Sequence, residues 1–452
     1  MQSLVIKTRQ TVTGFEINFR GSNYVVNYPD EIWQGYPQDA KDVLVDNLAY
    51  SETIHLPMTF KKSEINYNTS PPFFHTQFFQ NFIMDIPSCA DVDGTSTSEL
   101  IKEYVNLKEQ FKDNEIKIPK HQMETREDSA VVSLSFGKDS LLTWAVCNEI
   151  GLNPQASYIV EPVLLYEEKH KDKLAIKFQK EFGVELQKVE HTSGSLRDGM
   201  RLGVGKSELG WGLQSTQYAL MTLPIANKFQ SRYILFGNEQ SCSEYYFDRE
   251  GFVCYPAYDQ SHKWTLQIDL MTRQMTGGGV RTMSVIEPLN DLAVVYSLFK
   301  RYPEVAKYHM SCFVENETGR HNRWCMDCSV CCKMYLLIKA SGFDPKDVGL
   351  TRNMLDREMK DYFSLFGGSD VNTYALTGRG RDEQLFAFYL AYKNGDRSPL
   401  TEDFAVRFLD AAQGREDELY KTFFDVHESI TMPKHILGKV ESIYKEILSD
   451  VP

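Results

Sequence analysis

The chain has 452 residues, of which 42% are hydrophobic and 25% are charged, a balance typical of a folded globular protein. Its 62 acidic residues outnumber 49 basic ones and give a net charge of -13, which argues against nonspecific binding to nucleic acid. At about 150 residues per domain, a chain of this length is expected to form about three units.

Segments that would direct the chain to a membrane are not expected. No stretch approaches the roughly 18 uninterrupted apolar residues of a membrane-spanning helix. Charged and polar residues interrupt residues 1–21 every few positions, so these residues hold no apolar signal core. We therefore expect a cytoplasmic protein, in which clustered cysteines are more often metal ligands or catalytic thiols than disulfides.

Residues 1–125 are expected to form a β-rich N-terminal domain. Hydrophobic residues alternate in 15–19 and again in 24–28, and a Gly-Ser-Asn turn separates the two runs, which predicts a hairpin. A serine in the polar stretch before residue 100 is positioned to cap a helix. The charged segment 117–128 is the expected linker to the next domain.

From residue 126 to 310, short apolar strands alternate with helical patterns, which is typical of an α/β parallel sheet with helices on both faces. The expected strands are 130–134, 157–165, 184–189 and 233–236, and the expected helices are 140–149, 171–182 and 214–228. Residues 311–452 are expected to form a zinc-binding and mostly helical C-terminal region.

Between the first strand and the first helix of this sheet lies the 135–140 loop, Ser135-Phe136-Gly137-Lys138-Asp139-Ser140. At such a position a parallel sheet presents backbone N–H groups to phosphate. Gly137 permits close backbone approach or a positive φ, Lys138 offers a cation to phosphate oxygens, and Asp139 offers a carboxylate to magnesium. The hydroxyl groups of Ser135 and Ser140 add hydrogen-bond donors. The alternative is a tight turn with a helix cap, because Asp and Ser favour caps.

A second candidate site follows the strand 233–236. Gly237, Asn238 and Glu239 come directly after it, and the carboxyl ends of parallel strands line the ligand crevice. Asn238 and Glu239 are therefore expected to meet a nucleotide, a metal ion or the substrate. A plain turn with an exposed glutamate is the alternative.

Four cysteines have the spacing of a metal site, Cys312-x12-Cys325-x2-Cys328-x2-Cys331. Two-residue separations let neighbouring thiolates converge on one ion, which favours a closed zinc site. We choose Cys331 over the adjacent Cys332 because it keeps the two-residue separation. An iron–sulfur cluster, free cysteines at a helix start, or replacement of one ligand by His321 are the alternatives.

The 135–140 loop resembles the S-G-G-x-D-S loop of the PP-loop (N-type) ATP pyrophosphatases, with Phe136 in place of the first glycine. The resemblance implies a Rossmann-like sheet of the adenine nucleotide alpha hydrolase type. It also implies cleavage of ATP between the α- and β-phosphates, with ATP and Mg²⁺ as cofactors. The nucleotide would lie on the loop and on Gly237 and Asn238. Lys138, Asp139 and Glu239 would then be catalytic.

A closer likeness, over roughly 130–390, is to the UDP-N-acetylmuramoyl-L-alanyl-L-glutamate epimerases of peptidoglycan biosynthesis. It rests on the stretches 236–241 (FGNEQS), 286–292 (IEPLNDL), 323–331 (RWCMDCSVC) and 377–383 (TGRGRDE). A PP-loop followed by a cysteine cluster is also similar to the 7-cyano-7-deazaguanine synthases, which adenylate a carboxylate and carry zinc.

The epimerase resemblance implies that ATP adenylates the carboxylate of a terminal L-glutamate, which makes its Cα–H more acidic. Candidates for the base that removes this proton are Glu239, Cys242, Glu244 and His262. Three other functions remain alternatives: an amidating or nitrile-forming ligase, a PP-loop enzyme that modifies tRNA, and a non-enzymatic nucleotide-binding module. The acidic charge ranks tRNA below a small carboxylate substrate, and a homodimer is compatible with the sequence.

Overall fold

The computed structural model describes residues 3–162 and 166–451. In these ranges the strands are β1 Leu4–Gln10, β2 Gly14–Phe19, β3 Ser22–Asn27, β4 Glu64–Tyr67, β5 Lys108–Gln110, β6 Arg126–Ser133, β7 Pro154–Val160, β8 Leu186–His191, β9 Ser231–Leu235, β10 Tyr246–Phe247, β11 Val253–Cys254 and β12 Arg281–Met283.

The α-helices of the same ranges are α1 Asp30–Gly35, α2 Gln38–Ser51, α3 Leu56–Thr59, α4 His75–Asp93, α5 Thr97–Val105, α6 Lys138–Glu149, α7 Glu167–Phe182, α8 Gln214–Phe229, α9 His262–Met275, α10 Asp291–Arg301, α11 Pro303–Ala306, α12 Ser329–Ala340, α13 Gly378–Lys393, α14 Pro399–Arg407, α15 Leu409–Gln413, α16 Glu416–Phe424 and α17 Lys434–Leu448.

Ten of the strands form one sheet, in the order β12-β9-β6-β7-β8-β3-β2-β1-β4-β5. The five strands from β12 to β8 are mutually parallel, as are β1, β4 and β5. The β1–β2–β3 ribbon is antiparallel, and β3 pairs antiparallel with β8 to join the two parallel blocks. The fold is therefore α/β, and its sheet is mostly parallel.

The chain order of the larger parallel block reverses direction at β6. From β6 the chain moves outward through β7 and β8, then returns to the opposite side of β6 with β9 and β12. In open α/β sheets a crevice opens where the direction of winding changes, at the carboxyl ends of the strands. The 135–140 loop follows β6 and Gly237–Glu239 follows β9, so both candidate sites flank this crevice.

Helices cover both faces of the sheet, and alternating strand residues point to the two cores. In β6, Ala130 and Val132 belong to the core that contains α6, α7, α10 and the C-terminal helices. Val131 faces the opposite core, which contains α8, α9 and the N-terminal helices. One sheet contains strands from both sides of the domain border expected near residue 125. The first core contains residues from both sides of the border expected near residue 310.

The N-terminal region is mixed α/β, which corrects the expectation of a β-rich domain. The β2–β3 hairpin forms in the expected place. Ser96 caps α5 by accepting a hydrogen bond from the Glu99 backbone N–H. The region also contains α2 and α4, of 14 and 19 residues, whose apolar faces fill the second core. Burial of these faces against the sheet is what stabilises the helices.

The expected helices and strands of the parallel block are present, with ends that differ by a few residues. The segment expected as strand 157–165 is β7, which ends at Val160, and residues 163–165 of that expectation lie outside the described residues. The C-terminal region is mainly helical, as expected. Among the described residues, no helix is long and apolar enough to cross a membrane.

Candidate functional site

The 135–140 loop connects the end of β6 to the start of α6. Gly137 is the N-cap residue of this helix, and no side chain caps the helix at this end. The first-turn N–H groups of an α-helix have no partner within the helix, and they attract anions. The hydroxyls of Ser135 and Ser140 lie 3.3 Å apart, and Ser140 also donates to the Gly137 carbonyl. The loop is thus a short turn that leads into a helix N-terminus without a side-chain cap.

The left-handed residue of the loop is Phe136, with φ 62°, whereas Gly137 has φ -69°. Of the two roles expected for Gly137, close backbone approach or a positive φ, the structure excludes the second. Phe136 is fully buried, and its ring packs edge-on against Phe178 with centroids 5.8 Å apart. The loop that this segment resembles has glycine at this position, and a left-handed backbone strains any residue with a Cβ. Burial of the ring offsets that strain here.

Gly237 brings the end of β9 against the loop. A Cβ at Gly237 would lie 2.5 Å from the Cβ of Asp139, so only glycine allows this approach. The next residue, Asn238, is buried and donates to the Thr265 hydroxyl on α9 over 2.9 Å. Asn238 therefore fastens the strand end to α9 in this structure. Glu239 is the residue of this turn that joins the charged cluster.

The charged cluster forms around the buried ammonium of Lys138. Its Nζ lies 2.5 Å from Asp139 Oδ1 and 3.3 Å from Glu239 Oε1. It also pairs with Asp291, the first residue of α10, whose side chain is fully buried. Oxygens of Asp139, Glu239 and Asp291 all lie within 4.8 Å of one another, and we call these three residues the carboxylate trio.

A second lysine reaches the trio from the C-terminal region. Lys333 on α12 pairs with the other oxygen of Asp291, and its side chain is 27% exposed. Its ammonium also lies 4.9 Å from the ring centroid of Tyr374. The Tyr374 hydroxyl donates to Glu383 over 2.8 Å, and Glu383 also accepts from the Leu292 backbone N–H. Five separate parts of the chain thus meet here: the 135–140 loop, the end of β9, the start of α10, α12, and the segment from Tyr374 to Glu383.

The electrostatics of the cluster follow from burial and from charge pairing. Burial raises the pKa of Glu239 well above its usual range, and the neighbouring Asp291 adds to the effect. Burial also disfavours the charge of Asp291, yet Lys138 and Lys333 hold its pKa below the usual range. Burial together with Asp291 raises the pKa of Glu383 to about 7. With all three carboxylates ionised, the trio carries one more charge than the two ammoniums, so a further positive charge at this place would favour the ionised form of Glu239.

The trio has the donors that a hard divalent cation requires. Oε1 of Glu239 accepts from Lys138 and from the Ser241 hydroxyl, while the buried Oε2 has no hydrogen-bond partner among the described residues. Asp139 is about one-third exposed and opens the cluster towards solvent. Three carboxylate oxygens with one open side match magnesium, which is bound by a few carboxylates and keeps other positions for water and phosphate.

Three of the four candidates for the epimerisation base, Glu239, Cys242 and Glu244, follow β9 directly, and the fourth, His262, begins α9. The thiol pKa of Cys242 is well above its usual value because the side chain is buried and Glu239 lies near. Glu244 is held by Arg379 at 2.7 Å. The His262 ring contacts the Glu239 carbonyl at 3.2 Å. Glu239 is the member of this set whose carboxylate belongs to the trio.

The four expected cysteine ligands converge in space. The Sγ atoms of Cys312, Cys325, Cys328 and Cys331 all lie within 4.8 Å of one another, with the Cys325 and Cys331 sulfurs at 3.7 Å. Cys332 is buried outside this group, so the choice of Cys331 is confirmed. Four thiolates of this arrangement could bind a metal such as zinc.

Backbone N–H groups support the sulfur atoms of this cluster. Cys312 Sγ accepts from the N–H groups of Val314 and Cys325, at 3.2 and 3.3 Å, and Cys328 Sγ accepts from Cys331 N–H. Such bonds stabilise the thiolate form that a metal ligand must adopt. The cluster lies next to the 135–140 loop, because Met310 N–H donates to the Phe136 carbonyl two residues before Cys312.

Sequence reasoning assigned no role to Asp291 or Lys333. Both lie far along the chain from the 135–140 loop. Asp291 had a weak signal, as an acidic residue that begins a helix after an apolar segment. Lys333 had another, as a charged residue at the start of an otherwise apolar helix just after Cys331. Neither signal indicates which groups the side chain will meet.

Comparison of the chain with protein-family models finds no match. Comparison with curated proteins finds no match either. What the site can bind therefore follows from its own residues: an uncapped helix N-terminus, two lysines, three clustered carboxylates and four thiolates.

Proposed function

We propose that this protein is an ATP-dependent enzyme that adenylates a substrate carboxylate and releases pyrophosphate. The main support is the meeting of Lys138 with the carboxylate trio at the carboxyl edge of the sheet, beside an uncapped helix N-terminus. The reversal of strand order at β6 supports a Rossmann-like fold of the adenine nucleotide alpha hydrolase type. In this reading the 135–140 loop and Gly237 hold the phosphates.

In the reaction, a carboxylate oxygen of the substrate attacks the α-phosphorus of ATP. The bond from that phosphorus to the bridging oxygen of the β-phosphate breaks, and pyrophosphate leaves with the electron pair. Lys138 and the first-turn N–H groups of α6 bind the charge that grows on the leaving group. Asp139, Glu239 and Asp291 hold a magnesium ion, which when bound supplies positive charge beside the phosphates.

The substrate we favour is the one that the epimerase resemblance implies, a peptide that ends in L-glutamate and is attached to UDP-N-acetylmuramate. Adenylation turns its carboxylate into a mixed anhydride, so the adjacent Cα–H becomes acidic enough to lose and regain a proton. Water then cleaves the anhydride, releasing AMP and the D-glutamate product. These steps place the enzyme in the cytoplasm, where nucleotide-linked peptides and ATP occur together.

Incubation with UDP-N-acetylmuramoyl-L-alanyl-L-glutamate, ATP and Mg²⁺ tests this proposal. AMP, pyrophosphate and D-glutamate-containing product are expected. Asp139→Asn removes a magnesium ligand and should lower substrate-dependent pyrophosphate release at least about 100-fold, the scale of losing one electrostatic contact to a transition state. The readout is a coupled pyrophosphate assay together with chiral analysis of the released glutamate.

The matched control for this experiment is Asp128→Asn, which changes an exposed carboxylate on β6 outside the cluster and should leave the rate unchanged. Equal rates for the Asp139→Asn variant and the wild type would refute the catalytic role of the trio. Absence of AMP with this substrate alone would remove the epimerase assignment, and a panel of other carboxylates would then test the wider class.

The four-thiolate cluster favours one second candidate, an amidating or nitrile-forming ligase similar to the 7-cyano-7-deazaguanine synthases. The observation that supports it is the convergence of four cysteine sulfurs beside the loop, which we propose to hold zinc. The two candidates differ in their need for ammonia. Pyrophosphate release that yields a nitrogen-containing product only when ammonia is present would favour the ligase.

A further inference from the structure

Lys333 has no assigned role in adenylation, yet it is the more accessible of the two lysines in the cluster. Its side chain is 27% exposed, whereas that of Lys138 is 6% exposed. Both ammoniums pair with Asp291, so one buried carboxylate holds two cations. Asp291 is also a member of the carboxylate trio.

A divalent cation on the trio and the ammonium of Lys333 compete for the same carboxylate. Asp291 is fully buried, and its oxygens cannot rotate into water to serve a third cation. Lys138 is enclosed and held by Asp139 and Glu239 as well, at 2.5 and 3.3 Å. Lys333 is the lysine that can move, because it is partly exposed and Asp291 is its only carboxylate within ion-pair distance in the described chain.

Charge balance points in the same direction. A divalent cation on the trio favours the ionised form of all three carboxylates, whose charge of three exceeds that of the two ammoniums by one, and the two positive charges of the cation then reverse that excess. The cluster then favours an anion, and the partly exposed Lys333 is the cation free to meet it. In the proposed function, that anion is the triphosphate of a nucleotide bound on the adjacent 135–140 loop.

We propose that Lys333 is a phosphate-binding residue that leaves Asp291 when a divalent cation occupies the carboxylate trio and then contacts the nucleotide triphosphate. The assignment rests on the proposed function for the identity of the anion. It makes cation binding the step that prepares the site for ATP. It also gives α12 a role in the site, because this helix carries Cys331 in its first turn and positions the Lys333 ammonium.

Two affinities of Lys333→Met test the proposal, and neither requires turnover. The first is the affinity of the zinc-loaded protein for Mn²⁺ alone, followed by electron paramagnetic resonance. The second is the affinity for α,β-methylene-ATP in saturating Mg²⁺, followed by calorimetry. We expect Mn²⁺ to bind about tenfold more tightly, because a competing cation is gone, and the nucleotide analogue to bind about tenfold more weakly.

The matched control is Lys339→Met, on the same helix, where the lysine pairs with Asp396 at 3.3 Å instead of with the trio. This variant should leave both affinities unchanged. Lys333→Arg should recover part of the affinity for the analogue, because arginine also binds phosphate. Weakening of both affinities by Lys333→Met, or no change in either, would overturn the proposal.

The inference and the proposed function fail separately. If Lys333→Met binds Mn²⁺ more tightly and α,β-methylene-ATP more weakly, the inference is supported. It remains supported even if no carboxylate elicits pyrophosphate release, a result that would refute the adenylation. Substrate-dependent pyrophosphate release by a Lys333→Met variant with unaltered affinities would overturn the inference and leave the adenylation standing.

Discussion

Phe136 is a buried residue of the 135–140 loop that combines a left-handed backbone with a large side chain. It holds a left-handed backbone at φ 62°, in the position where the resembled family has glycine. Its fully buried ring packs against Phe178, and its carbonyl accepts from Met310 N–H at 2.8 Å. Backbone strain and ring burial therefore oppose each other at this one position.

Substitution of Phe136 by alanine and by glycine separates these two effects. Both variants lose the buried ring, which should lower the free energy of unfolding by about 3 to 5 kcal/mol. The glycine variant also relieves the left-handed strain, so it should be more stable than the alanine variant by about 1 kcal/mol. Urea unfolding measures the difference.

The control for this pair is Ala145→Gly, inside α6, where the backbone is helical and Ala145 is buried. Here glycine should be less stable than alanine by about 1 kcal/mol or more, the reverse order. If Phe136→Gly were less stable than Phe136→Ala, strain at φ 62° would not be the reason for glycine in the family pattern.

At the scale of elements, α12 connects the cysteine cluster to the charged cluster. Its N-cap residue is Cys328, whose sulfur accepts from Cys331 N–H, and Lys333 follows within the first turns. The helix packs closely against α13, which carries Glu383. A metal held by the four thiolates would therefore fix the end of the helix that presents Lys333.

Loss of the metal should show in stability and in metal content together. We expect about one zinc per chain, and Cys312→Ser should lose it and lower the melting temperature, because bound metal stabilises only the folded site. Cys332→Ala is the matched control, since Cys332 is buried beside the cluster but outside it. It should retain the zinc. Elemental analysis and differential scanning fluorimetry measure both quantities, and iron with visible absorbance would contradict the zinc assignment.

At the scale of the whole molecule, a buried ion network joins the N-terminal region to the parallel block. His191, at the end of β8, lies 2.8 Å from Glu52 and 3.3 Å from Glu161. Arg197 also pairs with Glu161, at 3.1 Å. Glu52, His191 and Arg197 are almost fully buried. Loss of one partner would leave the others charged without compensation inside the protein.

Glu52→Gln should lower the free energy of unfolding by about 3 kcal/mol near pH 6, within the range for breaking a buried pair. Burial opposes the charge of His191, but Glu52 and Glu161 raise its pKa above the usual value. Its stabilising contribution is therefore complete below about pH 6.5 and falls as the pH rises through the folded-state pKa. Urea unfolding from pH 6 to 9 should show this loss in the wild type and a smaller one in the variant.

Glu31→Gln is the control for that experiment, because Glu31 also links the N-terminal region to α8, through Lys228 at 2.7 Å, but its side chain is 70% exposed. It should change the free energy of unfolding by no more than about 0.5 kcal/mol. An equal effect of the two substitutions would mean that burial of the Glu52 network does not strengthen the junction.

Local features of this chain could be predicted because they depend on neighbours in sequence. The period of apolar residues predicted β6 to β9 and α6 to α8 of the parallel block but not β12, α9 or α10, and the two-residue spacing of Cys325, Cys328 and Cys331 predicted the thiolate cluster. The pattern did not reveal α2 and α4, which are stabilised by packing in the second core. It also missed the left-handed Phe136, because ring burial elsewhere in the fold offsets the strain.

By itself, the sequence determined the α/β class, the cysteine cluster and the residues of the 135–140 loop, because residue periodicity and spacing along the chain carry these features. Only the tertiary structure decided that the N-terminal strands continue the same sheet, through the pairing of β3 with β8. It alone brought Asp291 and Lys333 to Lys138, Asp139 and Glu239. The reason is that a charged cluster forms where strand ends and helix starts meet in space, and one sequence carries no record of which ones will meet.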